Sequence, residues 1–445
     1  MADLSELCAA AVRAAADGEQ VEAYAEESRR VTVKARGEEV ESLSSSQTRG
    51  VGVRLIVDGR LGYAYAADPS AEEVWEAVAG ARTNAALASA DGANALPESR
   101  PADPLPDIFR PGQQQVPVER KVTLALELDR ATIRSRDRVR KVEQASYGDA
   151  VTRVAIASTA GVEQAYERTD CWCAVSALAE DGDEAQTGYA FRLGREIDEL
   201  DWLACGLEAA ERAARLLGSR KPPTARVPIL LDRGAAVALL GVLVGALSAE
   251  SVQKGRSLFA NRLGEEVASQ AVTLVDDGRL LAGPAAAPFD DEGVATERTP
   301  LIERGRLAAF LHNTYTARRG RSVSTGNGGR GSYRTPPGVS PSNLYLTPGS
   351  TDPSDLLAAA EGGLYVQEVS GVHSGASPIT GEFSVGATGL RISGGELREP
   401  LREMTIATTL IDVLKSIRSV GSDLRFFGAI GSPTVLVGEM TVAGV

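Results

Sequence analysis

The chain has 445 residues, which is enough for two or three domains. Hydrophobic residues make up 43% and charged residues 24%, as is typical of a folded globular protein. The formal net charge is −13 at pH 7 and no long run of Lys or Arg occurs, which argues against nucleic-acid binding because that requires several cationic contacts to phosphates.

The sequence carries no signal for membrane insertion or export. Residues 1–8 lack the basic and apolar regions of a signal peptide. The longest apolar stretch, 234–247, is shorter than the roughly 20 residues that span a bilayer. We therefore expect a cytoplasmic protein that has no membrane partner.

The first half of the chain predicts an α/β domain built on an antiparallel sheet, assigned to residues 1–219. Helical periodicity occurs over 4–16, 71–87, 116–133 and 198–217. Alternating patterns predict strands over 21–25, 30–35, 50–57, 60–65, 141–146, 151–158, 169–179 and 186–191. Asp58-Gly59 is a strong hairpin signal, and the Pro-rich stretch 91–115 reads as a connector.

Two of the four cysteines, Cys171 and Cys173, lie two residues apart on a predicted strand and therefore face the same side. Such a pair can bind a metal or react with oxidants. No second pair of ligands lies nearby, so we interpret both as small core residues.

A double proline in the segment 220–223 marks the domain boundary, because it ends a helix and stiffens a linker. From residue 226 to 445 the chain predicts a β-rich domain, sandwich-like or barrel-like, with one strong helix at 235–251 and a late helix at 410–420. The overall class is therefore α+β. The apolar character of 235–247 predicts a buried core helix, and Gly241 and Gly245 permit close packing or a bend.

An ordered set of short motifs covers about 220 residues of the second half. It comprises Phe289-Asp-Asp-Glu-Gly-Val294 with Thr296, Thr325-Gly-Asn327, Asn343-Leu344 with Pro348-Gly349, Gly381-Glu-Phe-Ser384, Gly386-Ala-Thr-Gly389, Gly395-Glu-Leu397, Thr405-Ile-Ala407 and Gly421-Ser-Asp-Leu424. In order and spacing the set resembles the TldD/PmbA peptidases, through patterns such as FDxEGxxT and TGxFSxxAxGxxIxxGE.

The resemblance implies that catalytic relatives carry an HExxxH metal motif on the long helix, with a further Cys near the C-terminus. Alignment on Leu239-Leu240 places Gly241, Val242 and Ala246 at the motif positions, and none of these can bind a metal or move a proton. The segment 426–430 has no Cys, and His312 and His373 are not at metal-ligand spacing. The chain therefore resembles the metal-free PmbA (TldE) type and is expected to hold no cofactor.

A glycine-rich segment, 370–384, concentrates polar side chains and is the candidate peptide-binding loop. We assign peptide recognition to a set of six residues: His373, Ser374, Thr380, Glu382, Ser384 and Arg330. A nucleophilic site using Ser374 or Ser377 with His373 is the sharper alternative, but the segment lacks a nucleophile elbow. A purely structural loop is the remaining alternative.

Two further charged segments are ambiguous. The acids 290–292 are interpreted as a turn with solvated charges, because three consecutive side chains point in different directions. The basic segments 318–321 and 330–334 fit either a peptide carboxylate or a mobile loop at a subunit interface.

By resemblance, PmbA-type chains pair with a TldD-type subunit that supplies the metal, expected to be zinc. The sequence thus predicts a non-catalytic subunit of a heterodimeric metallopeptidase that cleaves small or unfolded peptides, in peptide maturation or proteolysis. A homodimer is the alternative assembly when the partner is absent. The alternative functions are a regulatory or binding protein, as older gyrase-modulator labels in the family suggest, and a peptidase that uses a non-metal site.

Overall fold

The computed structural model describes residues 3–444 and divides into two compact units. Unit 1 comprises Met1–Arg215, Ala286–Thr296 and His312–Ser340. Unit 2 comprises Leu216–Ala285, Glu297–Leu311 and Pro341–Val445. Residues 1, 2 and 445, at the ends of the predicted domains, lie outside the described residues.

Unit 1 is built on a six-stranded antiparallel sheet with the order β3-β2-β1-β4-β5-β6. Its strands are β1 Gln20–Arg36, β2 Glu39–Val57, β3 Arg60–Ala67, β4 Val139–Ser158, β5 Glu163–Asp181 and β6 Glu184–Gly194. Most are much longer than an average strand, so the predicted segments 21–25 and 30–35 are one strand, as are 141–146 and 151–158. A long strand commits each side chain to one face of the sheet except where a bulge shifts the register, as between Lys34 and Ala35 of β1.

Four helices of unit 1 pack on the sheet: α1 Leu4–Arg13, α2 Ala71–Leu87, α3 Val118–Arg134 and α4 Trp202–Ala214. Helix α2 begins with a capping box in which Ser70 and Glu73 bond each other's backbone N–H groups. Apolar residues of β1 and β2, among them Val21 and Val53, form one core with α1 and α2. Cys171 and Cys173 are buried, as the interpretation of core cysteines predicted.

The C-terminal half contributes three elements to unit 1: α7 Thr314–Gly320 and the short strands β11 Gly328–Gly329 and β12 Gly338–Val339. Residues 226–445 are therefore divided between the two units, whereas the sequence boundary near residue 220 predicted that they form one domain.

Unit 2 contains two six-stranded sheets. One has the order β10-β9-β8-β13-β19-β18, with β8 Leu274–Asp277, β9 Arg298–Glu303, β10 Arg306–Leu307, β13 Leu344–Leu346, β18 Arg425–Phe427 and β19 Ile430–Ser432. The other has the order β16-β15-β14-β7-β20-β17, with β7 Ala225–Leu231, β14 Leu364–Ser370, β15 Glu382–Ser393, β16 Glu396–Thr409, β17 Ile417–Val420 and β20 Val435–Ala443. A pairing of β16 with β20 closes this second sheet into a barrel-like form.

The helices of unit 2 are α5 Arg233–Leu247, α6 Ala249–Gln253, α8 Pro353–Ala359, α9 Val372–Gly375 and α10 Leu410–Ser416. The predicted helix 235–251 is thus two helices, because Ser248 adopts an extended conformation. The predicted helix 410–420 ends at Ser416, and its last residues form β17. None of the helices within residues 3–444 is long and apolar enough to cross a membrane.

The α+β class is confirmed, with an antiparallel sheet in the N-terminal region and a barrel-like sheet with a packed helix in the C-terminal region.

Candidate functional site

Helix α5, where the resemblance places the metal motif of catalytic relatives, follows β7 directly. Asp232 caps it by accepting a hydrogen bond from the Gly234 N–H at 3.0 Å. One face is buried in unit 2 through Ala236, Leu239, Leu243 and neighbouring apolar residues, as predicted. The opposite face is open: Gly241 is exposed and Val242 and Gly245 are half-buried.

The motif positions carry no group that could bind a metal. Gly241 is exposed, Val242 is half-buried and Ala246 is fully buried. A Cβ atom on Gly241 would lie 3.8 Å from Ile430, so the helix position and the C-terminal segment that lacks Cys meet in one place. Within residues 3–444, no group of three or more His, Cys, Asp or Glu side chains is arranged around a common point. The residues present do not fit the metal that the family implies.

The candidate loop 370–384 lies beside α5 in unit 2. A Cβ atom on Gly245 would be 3.6 Å from Pro378, and the Pro378 carbonyl accepts a hydrogen bond from Leu258 N–H at 2.9 Å. The short helix α9 packs tightly on β15, since a Cβ atom on Gly375 would be only 1.8 Å from the Ser384 carbonyl oxygen. The loop is therefore fixed against the helix that bears the motif positions.

Five of the six candidate peptide-binding residues lie on this loop and are exposed: His373, Ser374, Thr380, Glu382 and Ser384. Thr380 Oγ1 donates to Glu382 Oε2 at 3.2 Å and accepts from the Glu382 N–H at 3.3 Å. The loop thus presents hydroxyl, carboxylate and imidazole groups to solvent beside the open face of α5.

The hydroxyls of the loop are engaged with the backbone and do not form a nucleophilic pair. Ser374 Oγ donates to the Gly371 carbonyl at 3.2 Å. Ser377 Oγ accepts from the N–H groups of Ile379 and Thr380. Within residues 3–444, neither serine is hydrogen-bonded to His373, so the geometry gives no support to the Ser/His alternative.

The acidic signature 290–292 is buried in unit 1, so the interpretation as solvated charges was wrong. Asp290 is 8% exposed and Glu292 is fully buried. Asp290 accepts three backbone hydrogen bonds, from Glu292 and Val294 at 2.9 Å and from Gly328 at 2.7 Å. Burial, followed by the charge of Glu292, raises the pKa of Asp290 well above its ordinary value.

Glu292 belongs to a buried ion-pair network that joins this signature to the sheet. Arg54 Nη1 donates to Glu292 at 2.7 Å and Arg54 Nη2 donates to Glu22 at 2.5 Å. The second Glu292 oxygen accepts from the Thr314 N–H at 2.7 Å. Burial alone lowers the pKa of Arg54, but the charges of Glu22 and Glu292 outweigh it and raise the pKa above its ordinary value.

Arg330, the sixth candidate, is part of the same network and has a fully buried side chain. Its guanidinium donates to Glu22, to the Asp291 carbonyl at 3.0 Å and to Tyr63 Oη at 3.1 Å. It also stacks 5.0 Å above the ring of Tyr24. This placement leaves the guanidinium no open face for a peptide carboxylate, and we do not propose it as a ligand.

Two glycines of β2 make room for the network. A Cβ atom on Gly50 would be 2.2 Å from the Tyr333 ring, and one on Gly52 would be 1.9 Å from Tyr63 Oη. Both positions share a sheet face with Arg54 and Tyr24 through the strand register. Glycines at alternate positions of a strand are the sequence signal that another segment closely approaches this face, and the site predicted from the sequence did not include them.

Three family models cover most of the chain. They describe PmbA/TldA metallopeptidase domain 1 at residues 21–85, the central domain at 111–217 and the C-terminal domain at 224–444. The fold and the ordered motifs thus define a peptidase-family protein. The chain belongs to the PmbA/TldD family of metallopeptidases.

Individual relatives agree with this assignment. The chain is 29% identical over 420 residues to "Metalloprotease PmbA" of Escherichia coli O157:H7, covering 93% of this chain and 90% of the relative. It is 29% identical to "Metalloprotease TldD homolog" of Haemophilus influenzae, covering 89% and 87%. The crystal structure of TldE from Thermococcus kodakarensis superposes with a TM-score of 0.91 over all of both chains, at 22% identity, and supports the fold.

Proposed function

We propose that this chain is the metal-free, TldE-type subunit of a heterodimeric metallopeptidase. A TldD-type partner supplies the metal, expected to be zinc, and the general base. The observation that carries the proposal is helix α5, which occupies the position of the metal motif with Gly241, Val242 and Ala246 and yet keeps an open face.

The role proposed for this chain is to complete the substrate cavity for small or unfolded peptides. The support comes from the exposed polar loop beside α5, where Thr380, Glu382 and Ser384 face solvent. Extended peptides are commonly held through hydrogen bonds to their main chain, and such contacts accept many sequences. The proposed location of the complex is the cytoplasm.

The test uses the full chain alone, the TldD-type partner from the same genome alone, and the two together. Bound metal and cleavage of an unstructured peptide are measured for each preparation. We expect metal wherever the partner is present and cleavage only in the mixture. A mixture in which Gln replaces the Glu of the partner's HExxxH motif is the control, and it is expected to bind metal without cleaving.

Two results would overturn the proposal. Metal-independent cleavage by this chain alone would assign the activity to another group, with the 370–384 loop examined first. Full activity of the partner without this chain would remove the need for a second subunit and would favour the regulatory alternative.

A further inference from the structure

Strand β2 extends well beyond the strand β3 on its outer side. β3 pairs with β2 over residues 50–57, whereas β1 pairs with β2 from the first residue of β2 onward. Residues 39–48 are all exposed, and no other strand within residues 3–444 pairs with their outer side. The chain leaves this side at Asp68, whose N–H donates to the Arg49 carbonyl at 2.9 Å. The first half of β2 is therefore an edge of the unit 1 sheet.

Three residues of this edge direct their backbone groups away from the sheet. Alternate residues of an antiparallel strand direct their N–H and C=O groups to opposite sides. Arg49 faces outward, since its carbonyl accepts from Asp68. The register with β1 is regular through this stretch, so the residues two, four and six positions earlier face outward as well: Gln47, Ser45 and Leu43. Within residues 3–444, their three N–H and three C=O groups have no hydrogen-bond partner.

The side chains along this edge do not protect it. Natural sheets protect an exposed edge with charged side chains, Pro or a bulge. Residues 42–48 comprise four Ser, one Thr, one Gln and one Leu, without charge or Pro. The bulge of this hairpin, at Lys34 and Ala35 of β1, lies beyond one end of the stretch. The small hydroxyl side chains leave room for the side chains of an added strand, and Leu43, which is 47% exposed, offers an apolar contact.

We propose that the β2 edge at residues 43–47 binds an extended peptide segment as an added strand. The three outward N–H and three outward C=O groups would bond the main chain of the peptide. Five residues of extended strand span about 17 Å, so a peptide of roughly five to seven residues covers the edge. Because these contacts are to the main chain, the site would accept many sequences. The inference goes beyond the proposed function, since it concerns unit 1 alone and requires no metal-bearing partner.

A peptide fits this edge better than a second copy of the chain does. Two copies of β2 paired about a two-fold axis at Ser45 would place residue 41 of one copy opposite residue 49 of the other, where Asp68 already lies. The carboxylates of Glu41 and Asp68 would then meet, and like charges in such a pair are destabilising. Strand pairing over five residues is also small against the roughly 1,200 Å² that a stable interface buries. A single peptide strand meets neither obstacle.

Fluorescence anisotropy of the full chain with the labelled, neutral heptapeptide Gln-Thr-Val-Thr-Val-Thr-Gln tests the site. We expect saturable binding that changes less than twofold between about 50 and 300 mM salt, because the edge carries no charge. The same peptide with N-methyl groups on its three central residues lacks main-chain donors on both sides and should bind at least tenfold more weakly. Absence of saturable binding, or equal binding of the two peptides, would refute the proposal.

Hydrogen exchange locates the bound peptide. The N–H groups of Leu43, Ser45 and Gln47 should exchange rapidly in the chain alone and at least tenfold more slowly with saturating peptide. Those of Ser44 and Ser46 face β1 and should be slow in both states. Unchanged exchange at the three outward positions would contradict strand addition. Slow exchange that depends on protein concentration without peptide would assign the edge to a second copy and overturn the proposal.

Two substitutions at one position separate the backbone from the side chain. Ser45→Pro removes an outward N–H without removing a bond to β1, and Pro is tolerated on edge strands, so we expect at least tenfold weaker binding with the fold retained. Ser45→Ala is the matched control, because it keeps the N–H, and its affinity should stay within twofold of the unmodified chain. An equal loss in both would assign the binding to the hydroxyl and refute strand addition. Circular dichroism checks the fold of Ser45→Pro, and if this variant does not fold, the N-methylated peptide and the exchange measurement decide.

Discussion

At the scale of single residues, the ion pairs of Arg54 form a buried network in unit 1. Arg54 is 4% exposed, and its two partners Glu22 and Glu292 are buried as completely. An ion pair withdrawn from water compensates its loss of hydration only while every member keeps its partner. The three residues come from positions 22, 54 and 292, so the network fixes a distant segment of the chain to the sheet.

The substitution Arg54→Met tests this network. It leaves Glu292 buried without a cation and Glu22 with Arg330 as its remaining cation, and the expected loss in the free energy of unfolding is about 3–5 kcal/mol. Arg36→Met removes a cation from the same sheet at an exposed position, 4.0 Å from Glu41, and should change the free energy by less than about 0.5 kcal/mol. Urea unfolding followed by circular dichroism measures both. If Arg54→Met and Arg36→Met changed the free energy of unfolding equally, the network would add no stability.

At the scale of elements, Glu19 ties the loop after α1 to helix α2. It accepts from Arg82 Nε at 2.5 Å and Nη2 at 2.9 Å, and from the Ala16 N–H at 2.8 Å. Hydrogen bonding to Arg82 lowers the pKa of Glu19 below its ordinary value of 4.5 and outweighs the opposing effect of burial. The loop is therefore held to α2 by the Glu19 carboxylate, which makes this contact in its ionised form.

This contact has a defined pH dependence. Because the pKa of Glu19 is lower in the folded state, its stabilisation is complete above about pH 4.5 and is lost as the pH falls through the folded-state value. Glu19→Gln should cost about 1 kcal/mol at pH 7, and the difference from the unmodified chain should shrink below pH 4. Urea midpoints at pH 7, 5 and 3 measure it. A difference that stays constant with pH would contradict the ionic origin.

Helix α5 gives a second prediction at this scale. Gly241 and Gly245 have room for a methyl group, with the nearest atoms at 3.8 Å and 3.6 Å, and each costs the helix about 1 kcal/mol relative to Ala. Gly241→Ala should therefore raise the free energy of unfolding by about 0.5–1 kcal/mol. Gly375→Ala should lower it, because the new Cβ would collide with the Ser384 carbonyl. Thermal unfolding of the two variants measures whether each change raises or lowers the free energy of unfolding. A destabilised Gly241→Ala would mean that the helix surface at Gly241 has no room for a methyl group.

At the scale of the whole molecule, the net charge of the chain distinguishes the role of a peptidase subunit from that of a regulatory protein that binds DNA. The regulatory alternative includes direct action on DNA. Direct action on DNA would require cationic contacts to phosphates, whereas this chain has 60 acidic and 47 basic residues.

We therefore expect no binding of duplex DNA by this chain at 150 mM salt. Fluorescence anisotropy of a labelled duplex, titrated with the chain to about 10 μM, measures it. A basic DNA-binding protein on the same duplex is the positive control. A salt-dependent rise in anisotropy with this chain would revive the regulatory alternative through direct DNA contact.

The family, the α+β class and the lack of metal-binding side chains at Gly241, Val242 and Ala246 were predictable from the sequence. These follow from local information, since hydrophobic periodicity sets each element and the identities of Gly241, Val242 and Ala246 exclude ligation wherever the helix lies. The helix ends near Ser248 and Ser416 were less predictable, because apolar residues continue past both points and suit helix or strand.

That the acids at 290–292 and Arg330 are buried and bonded to one another was not predictable from the sequence and is evident from the folded structure. The reason is the separation of the network along the chain: Glu22 and Glu292 are 270 residues apart, and no pattern in either segment specifies the other. The same holds for the buried ion pair of Lys121 with Asp149, which forms because helix α3 packs on strand β4. Burial and partnership of charges are properties of packing, and local sequence does not encode them.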